Sequence, residues 1–139
     1  MIRVVGAILL ELGNVVLSRR AMTLNNFPGL LEFPGGKIEA NENPEDALAR
    51  ELLEELQIEV HHDDIKHFEG NMHQNTIEKS GKVVHLTLFI VDRWKGILTP
   101  DPNIHSELIS VPLLELGNFN DIIPGDAIFI PLIQSLLTT

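Results

Sequence analysis

The sequence predicts a single α/β (α+β) domain over residues 1–139, in which a mixed β-sheet is sandwiched between α-helices. Two observations predict this class. The chain is 44% apolar and 22% charged, a composition that suits one hydrophobic core at this length. Segments with strand-like and helix-like patterns follow one another in the order strands, helix, strands, helix, which is typical of helices packed on a sheet.

The first segments of the chain predict a hairpin and a third strand. Residues 3–10 and 14–18 are rich in Val, Ile and Leu and flank a turn at Leu12-Gly13. Residues 31–33 have the pattern of a short strand, which leads into a Pro-Gly-Gly segment.

A helix is predicted to begin at Pro44 and to end near Gln57. Asn43 suits the N-cap, Pro44 the first helical position and Asp46 the capping-box position. Apolar residues recur at helical spacing on one face, and they are Ala47, Leu48, Leu52 and Leu56.

The second half of the chain predicts further strands and a closing helix. Strand character resumes at 58–60, alternates over 83–92 and returns at 107–111. Residues 126–137 have the pattern of a final helix, which Pro131 is expected to end or kink.

The charge of the chain argues against one class of partner. Ten Lys and Arg residues against twenty Asp and Glu residues give a net charge of −10, and an acidic surface repels long DNA or RNA.

The longest early apolar run, residues 4–10, is far shorter than the ~20 residues of a membrane span. The absence of Cys excludes disulfides, zinc–thiolate sites and thiol catalysis, and it fits a reducing, cytoplasmic location.

Three acids stand together on the predicted helix. Glu51, Glu54 and Glu55 lie at positions i, i+3 and i+4, which share one helical face. Like charges at this spacing repel one another, so the cluster either binds a cation or remains solvated. Oxygen ligands favour Mg²⁺ or Mn²⁺. The preceding Gly35-Gly36 allows the backbone to approach a metal or phosphate closely, which favours the metal-binding interpretation.

A longer spaced pattern surrounds the three acids. It comprises Gly36, Glu42, Arg50, Glu51, Leu52, Glu54, Glu55 and Ile58. This pattern resembles the Nudix box, G-x5-E-x7-R-E-U-x-E-E-x-G-U with U bulky and apolar, at eight of nine constrained positions. The departure is Gln57, where the family has a Gly with positive φ, and we expect altered helix-end geometry there rather than lost metal binding. Asn41 stands where many relatives have Gly, and Asn tolerates the left-handed region.

Short matches outside the box resemble the MutT branch of the Nudix family. They are Ser18-Arg19-Arg20, the segments 33–39 and 91–96, and Pro124-Gly125-Asp126. The resemblance implies the Nudix fold and Mg²⁺-dependent hydrolysis, with Mn²⁺ as a second candidate ion. The implied substrate is a small-molecule nucleotide, an oxidised purine nucleoside triphosphate such as 8-oxo-dGTP, cleaved to the monophosphate and pyrophosphate in nucleotide-pool sanitation. We expect a cytoplasmic monomer or homodimer with no membrane or long nucleic-acid partner.

The resemblance also implies metal-binding and catalytic roles. The implied metal ligands are the Gly35 carbonyl, Glu51, Glu54 and Glu55, and the implied catalytic residues are Arg50, Glu51 and Glu54. Glu51 would bind metal or position the attacking water, while Arg50 would orient Glu51 through a charge-assisted hydrogen bond. Glu42 would brace the loop through Arg50 or a backbone amide.

The implied substrate contacts lie on both sides of the box. Lys37 would meet phosphate, and Phe33 with Arg19 or Arg20 would contact the base. Asp126 stands where the MutT branch has an amide, and a carboxyl group can still read a purine edge. Each of three residues also has a purely structural interpretation: Lys37 as a surface lysine, Phe33 as a core aromatic and Asp126 as the N-cap of the closing helix.

Many relatives carry a further metal-binding Glu in an E-H-x-E loop. Here the stretch reads Asn103-Ile104-His105-Ser106-Glu107, so Ile104 replaces the first acid. Glu107, or else Asp101, is the candidate for this metal-binding role, and either can instead be a solvated loop acid. Among the six His residues, only His105 is a candidate ligand.

Two alternative functions stay open. The first is another Nudix substrate: a nucleoside diphosphate linked to another group, or a pterin or pyrimidine triphosphate. The chain has no Tyr, which argues against dinucleoside polyphosphates, and His73-Gln74 replaces a Pro associated with ADP-ribose enzymes. The second is a catalytically inactive nucleotide-binding or protein-binding module. Gln57 and Ile104 favour it, and the intact acid cluster argues against it.

Overall fold

The computed structural model describes residues 1–67, 73–77 and 81–137, and for 73–77 it describes only the backbone. Within these residues, one sheet contains eight strands. The strands are β1 (Ile2–Glu11), β2 (Asn14–Arg20), β3 (Leu31–Glu32), β4 (Gly35–Lys37), β5 (Ile65–Lys66), β6 (His73–Ile77), β7 (Val83–Val91) and β8 (His105–Pro112). The helices are α1 (Pro44–Leu56), α2 (Pro124–Ala127) and α3 (Ile130–Leu137), with 3₁₀ turns at His62–Asp64 and Leu113–Asn118.

The sheet is mixed, as the sequence predicts. Its main path runs β3-β2-β1-β7-β5, while β4 pairs with β1, β6 with β7 and β8 with β2. β1 and β7 are parallel, from Ile2 opposite Val84 to Leu9 opposite Val91. The other pairs are antiparallel, so antiparallel neighbours flank one central parallel pair.

Helices pack on both faces of the sheet. Alternate residues of a strand point to opposite faces, and β1 supplies both cores in this way. Its Val5, Ala7 and Leu9 pack with α1, whereas Ile8 packs with Ile130 of α3. The α1 residues expected in the core are all buried: Ala47, Leu48, Leu52 and Leu56. The predicted sandwich of a mixed sheet between helices is therefore confirmed.

The predicted hairpin is also confirmed. Leu12 and Gly13 have φ values of 52° and 81°, so both turn residues are left-handed, as in a type I′ turn. The third strand is one residue shorter than predicted, because β3 ends at Glu32. β4 follows it and is missed by sequence reasoning, because Pro-Gly-Gly is typical of a loop.

The predicted α1 begins and ends where its capping residues indicate. The Asn43 side chain accepts a hydrogen bond from the Asp46 amide at 2.8 Å. The expectation of altered geometry at the other end is wrong: Gln57 adopts φ 59°, the left-handed conformation that Gly usually supplies. Its N–H donates to the Leu53 carbonyl at 3.1 Å, so the helix ends in a regular way. Asn41 is left-handed as expected, with φ 64°.

Two element predictions need correction. The closing helix is two helices, because the chain turns at residues 128–129 between α2 and α3. Pro131 neither ends nor kinks α3, since it occupies the first turn, where its missing N–H is not needed. Residues 58–60 form no strand; Glu59 makes an isolated bridge to Lys95. Over the described part of the chain, no helix is long and apolar enough to cross a membrane.

Candidate active site

A diglycine corner on β4 brings the backbone against the acid-bearing helix. A Cβ on Gly35 would collide with the Val5 carbonyl of β1. A Cβ on Gly36 would lie 2.5 and 2.6 Å from the two carboxylate oxygens of Glu51. The backbone clash means that position 35 requires glycine, while a side chain at position 36 would displace the Glu51 carboxylate, which packs directly on the corner.

The strand register directs the Gly35 carbonyl away from β1. The Ala7 amide donates to the Pro34 carbonyl and the Ile38 amide to the Arg3 carbonyl, so the even-numbered residues of this segment bond to β1. In an antiparallel pair, the intervening residue points its carbonyl to the other side. The Lys37 carbonyl, two residues along, accepts from Arg50 of α1 at 3.0 Å. The Gly35 carbonyl therefore points in the same direction as the Lys37 carbonyl, which contacts Arg50 of α1.

Arg50 contacts several acids of the predicted cluster. It binds Glu42 through two hydrogen bonds of 2.8 and 2.9 Å, and Glu51 through one of 2.9 Å. Its contact with Glu54 is longer, at 3.3 Å. The hydrogen bond from Arg50 is the largest cause that lowers the pKa of Glu42 to about 2. Glu42 also accepts from the Glu39 amide at 3.0 Å, so both predicted bracing contacts are present.

Glu51 experiences competing electrostatic effects. Its pKa is raised to about 7: burial is the largest cause, the negative charge of Glu55 acts in the same direction, and Arg50 opposes both. Glu54 is different, since 59% of its side chain is exposed. The surroundings of Glu55 are intermediate between those of Glu51 and Glu54. Its carboxylate is 3.0 Å from Nε2 of the fully buried His105.

The donor set fits a hard divalent cation. Within the described ranges, no three His, Asp or Glu side chains form a ready-made metal site. Arg50 nevertheless does not block all three acids. Its contact with the exposed Glu54 is longer than its contact with Glu51. A cation would relieve the repulsion between Glu51 and Glu55, and carboxylate and carbonyl oxygens are the ligands that Mg²⁺ and Mn²⁺ prefer.

The side chains of the two loop acids have partners other than the helix acids. Glu107 binds Arg19 at 2.6 Å and is half-exposed. The Asp101 side chain accepts from the Asn103 amide at 3.0 Å and so stabilises its own loop. A metal-binding role for either residue stays a prediction, and these contacts do not support it.

The predicted base contacts surround the end of β3. The Asp126 carboxylate accepts from the Phe33 amide at 2.9 Å, and Phe33 is a core residue with 4% exposure. Asp126 is not an N-cap, because that position belongs to Ile123. Burial raises the pKa of Asp126 to about 8, with nearby Glu32 as the second cause. The carboxyl group is therefore mostly protonated at neutral pH. In this form it can donate a hydrogen bond as well as accept one.

The two candidate arginines have different surroundings. Arg20 binds Glu32 at 3.2 Å, beside Asp126. Arg19 is held by Glu107, by Asp121 at 2.9 Å and by the Gly29 carbonyl at 2.9 Å. Arg20 thus lies with the predicted base contacts, whereas Arg19 ties loops together. Lys37 is exposed at the end of β4, which leaves its predicted phosphate contact open.

Sequence reasoning missed one acid at this site. Burial is the main cause that raises the pKa of Glu32, and Arg20, His105 and Glu55 all act on it electrostatically. Glu32 therefore lies between the Asp126 region and the helix acids. The available signal was a charged residue flanked by Leu31 and Phe33 in a buried strand.

A surface depression of about 610 Å³ lies elsewhere. Its lining includes Leu12, Glu59 and Trp94 and none of the predicted site residues. This depression is thus not part of the acid cluster.

A family model of the NUDIX domain matches residues 1–133. The chain belongs to the Nudix family. Nudix hydrolases break phosphoanhydride bonds and generally depend on divalent metal ions, and a small nucleotide substrate is consistent with this family. The family and its enzyme class, both predicted from the box, are therefore confirmed.

Individual relatives support the MutT-like branch of the Nudix family. An 8-oxo-dGTP diphosphatase of Proteus vulgaris is 38% identical over 90 residues, which cover 62% of this chain and 70% of that protein. A CTP pyrophosphohydrolase of Escherichia coli K12 is 39% identical over 98 residues, which cover 70% of this chain and 67% of that protein. The solution structure of the E. coli ORF135 protein matches with a TM-score of 0.80 at 30% identity, covering 99% of this chain and 91% of that one.

Proposed function

We propose that this Nudix hydrolase is a Mg²⁺-dependent pyrophosphohydrolase that cleaves an oxidised purine nucleoside triphosphate, such as 8-oxo-dGTP, to the monophosphate and pyrophosphate. The observation that carries the proposal is the packing of the Glu51 carboxyl group against Gly36 and beside Glu55, with its pKa raised to about 7. Such crowding is unfavourable, Arg50 offsets it only in part, and a bound metal cation would offset it further. The similarity to an 8-oxo-dGTP diphosphatase supports the choice of substrate.

The residues of the site divide into three tasks in this proposal. Glu51, Glu54, Glu55 and the Gly35 carbonyl would hold the divalent ion, with Mn²⁺ as a substitute for Mg²⁺. When bound, that ion neutralises phosphate charge and lowers the pKa of the attacking water. Arg50 fixes one oxygen of Glu51 at 2.9 Å, so this carboxyl group is oriented before substrate arrives. Exposed Lys37 would attract the phosphates.

The base would bind beside β3. Asp126, anchored to the Phe33 amide, would present a protonated carboxyl group to an acceptor on the base edge. Arg20 lies near Asp126 because it binds Glu32, which is a neighbour of Asp126. Arg19 would contact the base only if it left its present partners.

A pyrimidine triphosphate is the second candidate substrate. The similarity to a CTP pyrophosphohydrolase, at 39% identity, favours it. The same metal-binding residues would serve both substrates, since both contain the same triphosphate. The base contacts alone would distinguish them.

A nucleotide panel tests the proposal. Release of the nucleoside monophosphate would be measured from 8-oxo-dGTP, dGTP, dCTP, CTP and a nucleoside diphosphate sugar, with and without Mg²⁺; the second product is pyrophosphate from a triphosphate and a sugar phosphate from the diphosphate sugar. We expect the highest kcat/KM for 8-oxo-dGTP, no release without a divalent ion, and recovery with Mn²⁺. If 8-oxo-dGTP is cleaved no faster than dGTP or dCTP, the sanitation role is wrong. Preference for CTP would support the pyrimidine candidate, and no release from any nucleotide would support an inactive module.

A further inference from the structure

His105 occupies an unusual position for a histidine. Its side chain is 0% exposed, and Nε2 lies 3.0 Å from Oε2 of Glu55. The other ring nitrogen, Nδ1, is buried without a hydrogen-bond partner among the described residues. A buried polar atom without a partner is unfavourable, so packing alone would favour an apolar side chain here.

The backbone around His105 ties the start of β8 to the end of α1. The Asp101 amide donates to the Glu55 carbonyl at 2.9 Å, and the His105 amide donates to the Asp101 carbonyl at 2.8 Å. Glu55 is thus linked to His105 twice, through the backbone of Asp101 and through the direct side-chain contact. The ring is held in place by its own strand and by the helix it contacts.

A bulge in β8 turns His105 toward α1. His105 lies opposite Arg20 and Glu107 lies opposite Arg19, so Ser106 is the extra residue in the pairing with β2. Arg19 and Arg20 are consecutive, and their side chains point to opposite faces of the sheet. The bulge therefore sends Glu107 to Arg19 on one face and leaves His105 facing Glu55 on the other.

We infer that His105 is a positioning residue that holds Glu55 in its metal-binding orientation by donating a hydrogen bond from Nε2–H. This inference rests on the proposed function, in which Glu55 is a metal ligand. A carboxylate oxygen only accepts, so Nε2 carries the hydrogen of this contact. The contact occupies Oε2 of Glu55 and restricts the rotation of its side chain. Outer partners of this kind commonly fix a metal ligand, and their loss weakens metal binding.

Three variants separate the two ring nitrogens. His105→Gln places an amide N–H near the position of Nε2, His105→Asn places one near Nδ1, and His105→Phe supplies neither. The dissociation constant for Mn²⁺ alone, measured by electron paramagnetic resonance without nucleotide, is the main readout. We expect His105→Asn and His105→Phe to weaken Mn²⁺ binding by roughly 10–100-fold, and His105→Gln to retain most of the affinity.

A double-mutant cycle with Glu55→Gln checks that the effect passes through Glu55. In that background, His105→Asn is expected to cause little further loss of Mn²⁺ affinity, because the carboxylate ligand through which His105 acts is already absent. Thermal unfolding of each variant reports any general damage. If His105→Phe does not fold, the comparison of His105→Gln with His105→Asn still decides the question.

The outcomes distinguish the inference from the proposed function. Equal Mn²⁺ affinity in all folded variants, or losses that follow only the fall in Tm, would overturn the role of His105 while wild-type activity stands. Weaker binding by His105→Gln than by His105→Asn would also overturn it. A wild-type chain that neither binds Mn²⁺ nor releases pyrophosphate would overturn the proposed function itself, and the inference with it.

Discussion

Glu51 shows how neighbours set the chemistry of a single residue. The missing side chain of Gly36 makes room for its carboxyl group, and Arg50 orients one of its oxygens. Burial and the charge of Glu55 keep its pKa near 7, far from that of an exposed glutamate. The spacing of Arg50, Glu51 and Glu55 already predicts that they meet, because all three lie on one helix, whereas Gly36 is brought to them by β4.

At the residue scale, the first prediction concerns Glu54. Glu54→Gln should lower kcat/KM for pyrophosphate release, because it removes a metal ligand. Loss of an outer partner of such a ligand typically costs roughly 10–100-fold, and we expect a larger decrease here. The side chain is 59% exposed, so Tm should change little. Steady-state kinetics and thermal unfolding measure the two effects.

Glu115→Gln is the matched control, because Glu115 is an exposed acid outside the cluster. It should leave both kcat/KM and Tm near the wild-type values. Wild-type activity in Glu54→Gln would remove Glu54 from the metal-binding set.

The second prediction at this scale concerns the protonation of Asp126. Its folded pKa is about 8 against an ordinary value of 3.8, so the folded chain binds this proton more tightly than the unfolded chain. Its contribution to stability is therefore present below about pH 4 and is lost as pH rises through about 8. Asp126→Asn stays neutral and can still accept from the Phe33 amide.

We therefore expect the stability of Asp126→Asn relative to wild type to increase between about pH 4 and pH 8 and then to level off. Urea unfolding at several pH values measures this difference. Asp63→Asn, an exposed change in a 3₁₀ turn, should show a much smaller pH-dependent difference. Parallel stability profiles for wild type and Asp126→Asn would contradict a raised pKa at this carboxyl group.

At the element scale, sequence patterns predict α1 well and the segments around it less well. The capping residue Asn43 and the four buried apolar positions are local signals, and the structure confirms them. β4 escapes prediction because its three residues gain their strand character from pairing with β1. The break between α2 and α3 is also tertiary in origin, since Ile130 and Ile133 of α3 both enter the core.

The end of α1 provides a prediction at this scale. Gln57 adopts φ 59°, which is disfavoured for a residue with a Cβ. Gln57→Gly should raise the free energy of unfolding by up to about 1 kcal/mol, because relief of this strain exceeds the added flexibility of the unfolded chain. Urea unfolding measures the change.

Gln57→Ala is the control for loss of the exposed Gln side chain. It retains the Cβ and should give no such gain in stability. A less stable Gly variant would show that the left-handed residue is not a source of strain. A gain in both variants would instead assign the effect to the glutamine side chain.

At the scale of the whole molecule, the fold joins residues that no local pattern connects. His105 and Glu55 are 50 residues apart, and Phe33 and Asp126 are 93 apart, yet both pairs are in hydrogen-bond contact. The sequence predicts the acid cluster because its members lie within one short segment. It does not predict the partners supplied by β8 and α2, which depend on strand order and on a bulge.

The distribution of charge over the whole chain leads to the last prediction. Eight acids and two bases lie within residues 36–59, which hold −6 of the net charge of −10. A divalent ion that binds the folded cluster, and not the unfolded chain, stabilises the fold by about 2.7 kcal/mol at 100 times its dissociation constant. Mg²⁺ should therefore raise Tm by more than NaCl at equal ionic strength, because NaCl only screens the repulsion.

Thermal unfolding of three chains in both salts makes this test specific. Wild type and Glu115→Gln should gain the same additional stability from Mg²⁺ over NaCl, whereas Glu54→Gln should lose most of that gain. Both substitutions change the net charge by the same amount, so the two variants differ in where the negative charge is removed and not in total charge. Equal stabilisation by Mg²⁺ and NaCl in the wild type would mean that the acids remain a solvated surface, and the metal-dependent function would then lose its physical basis.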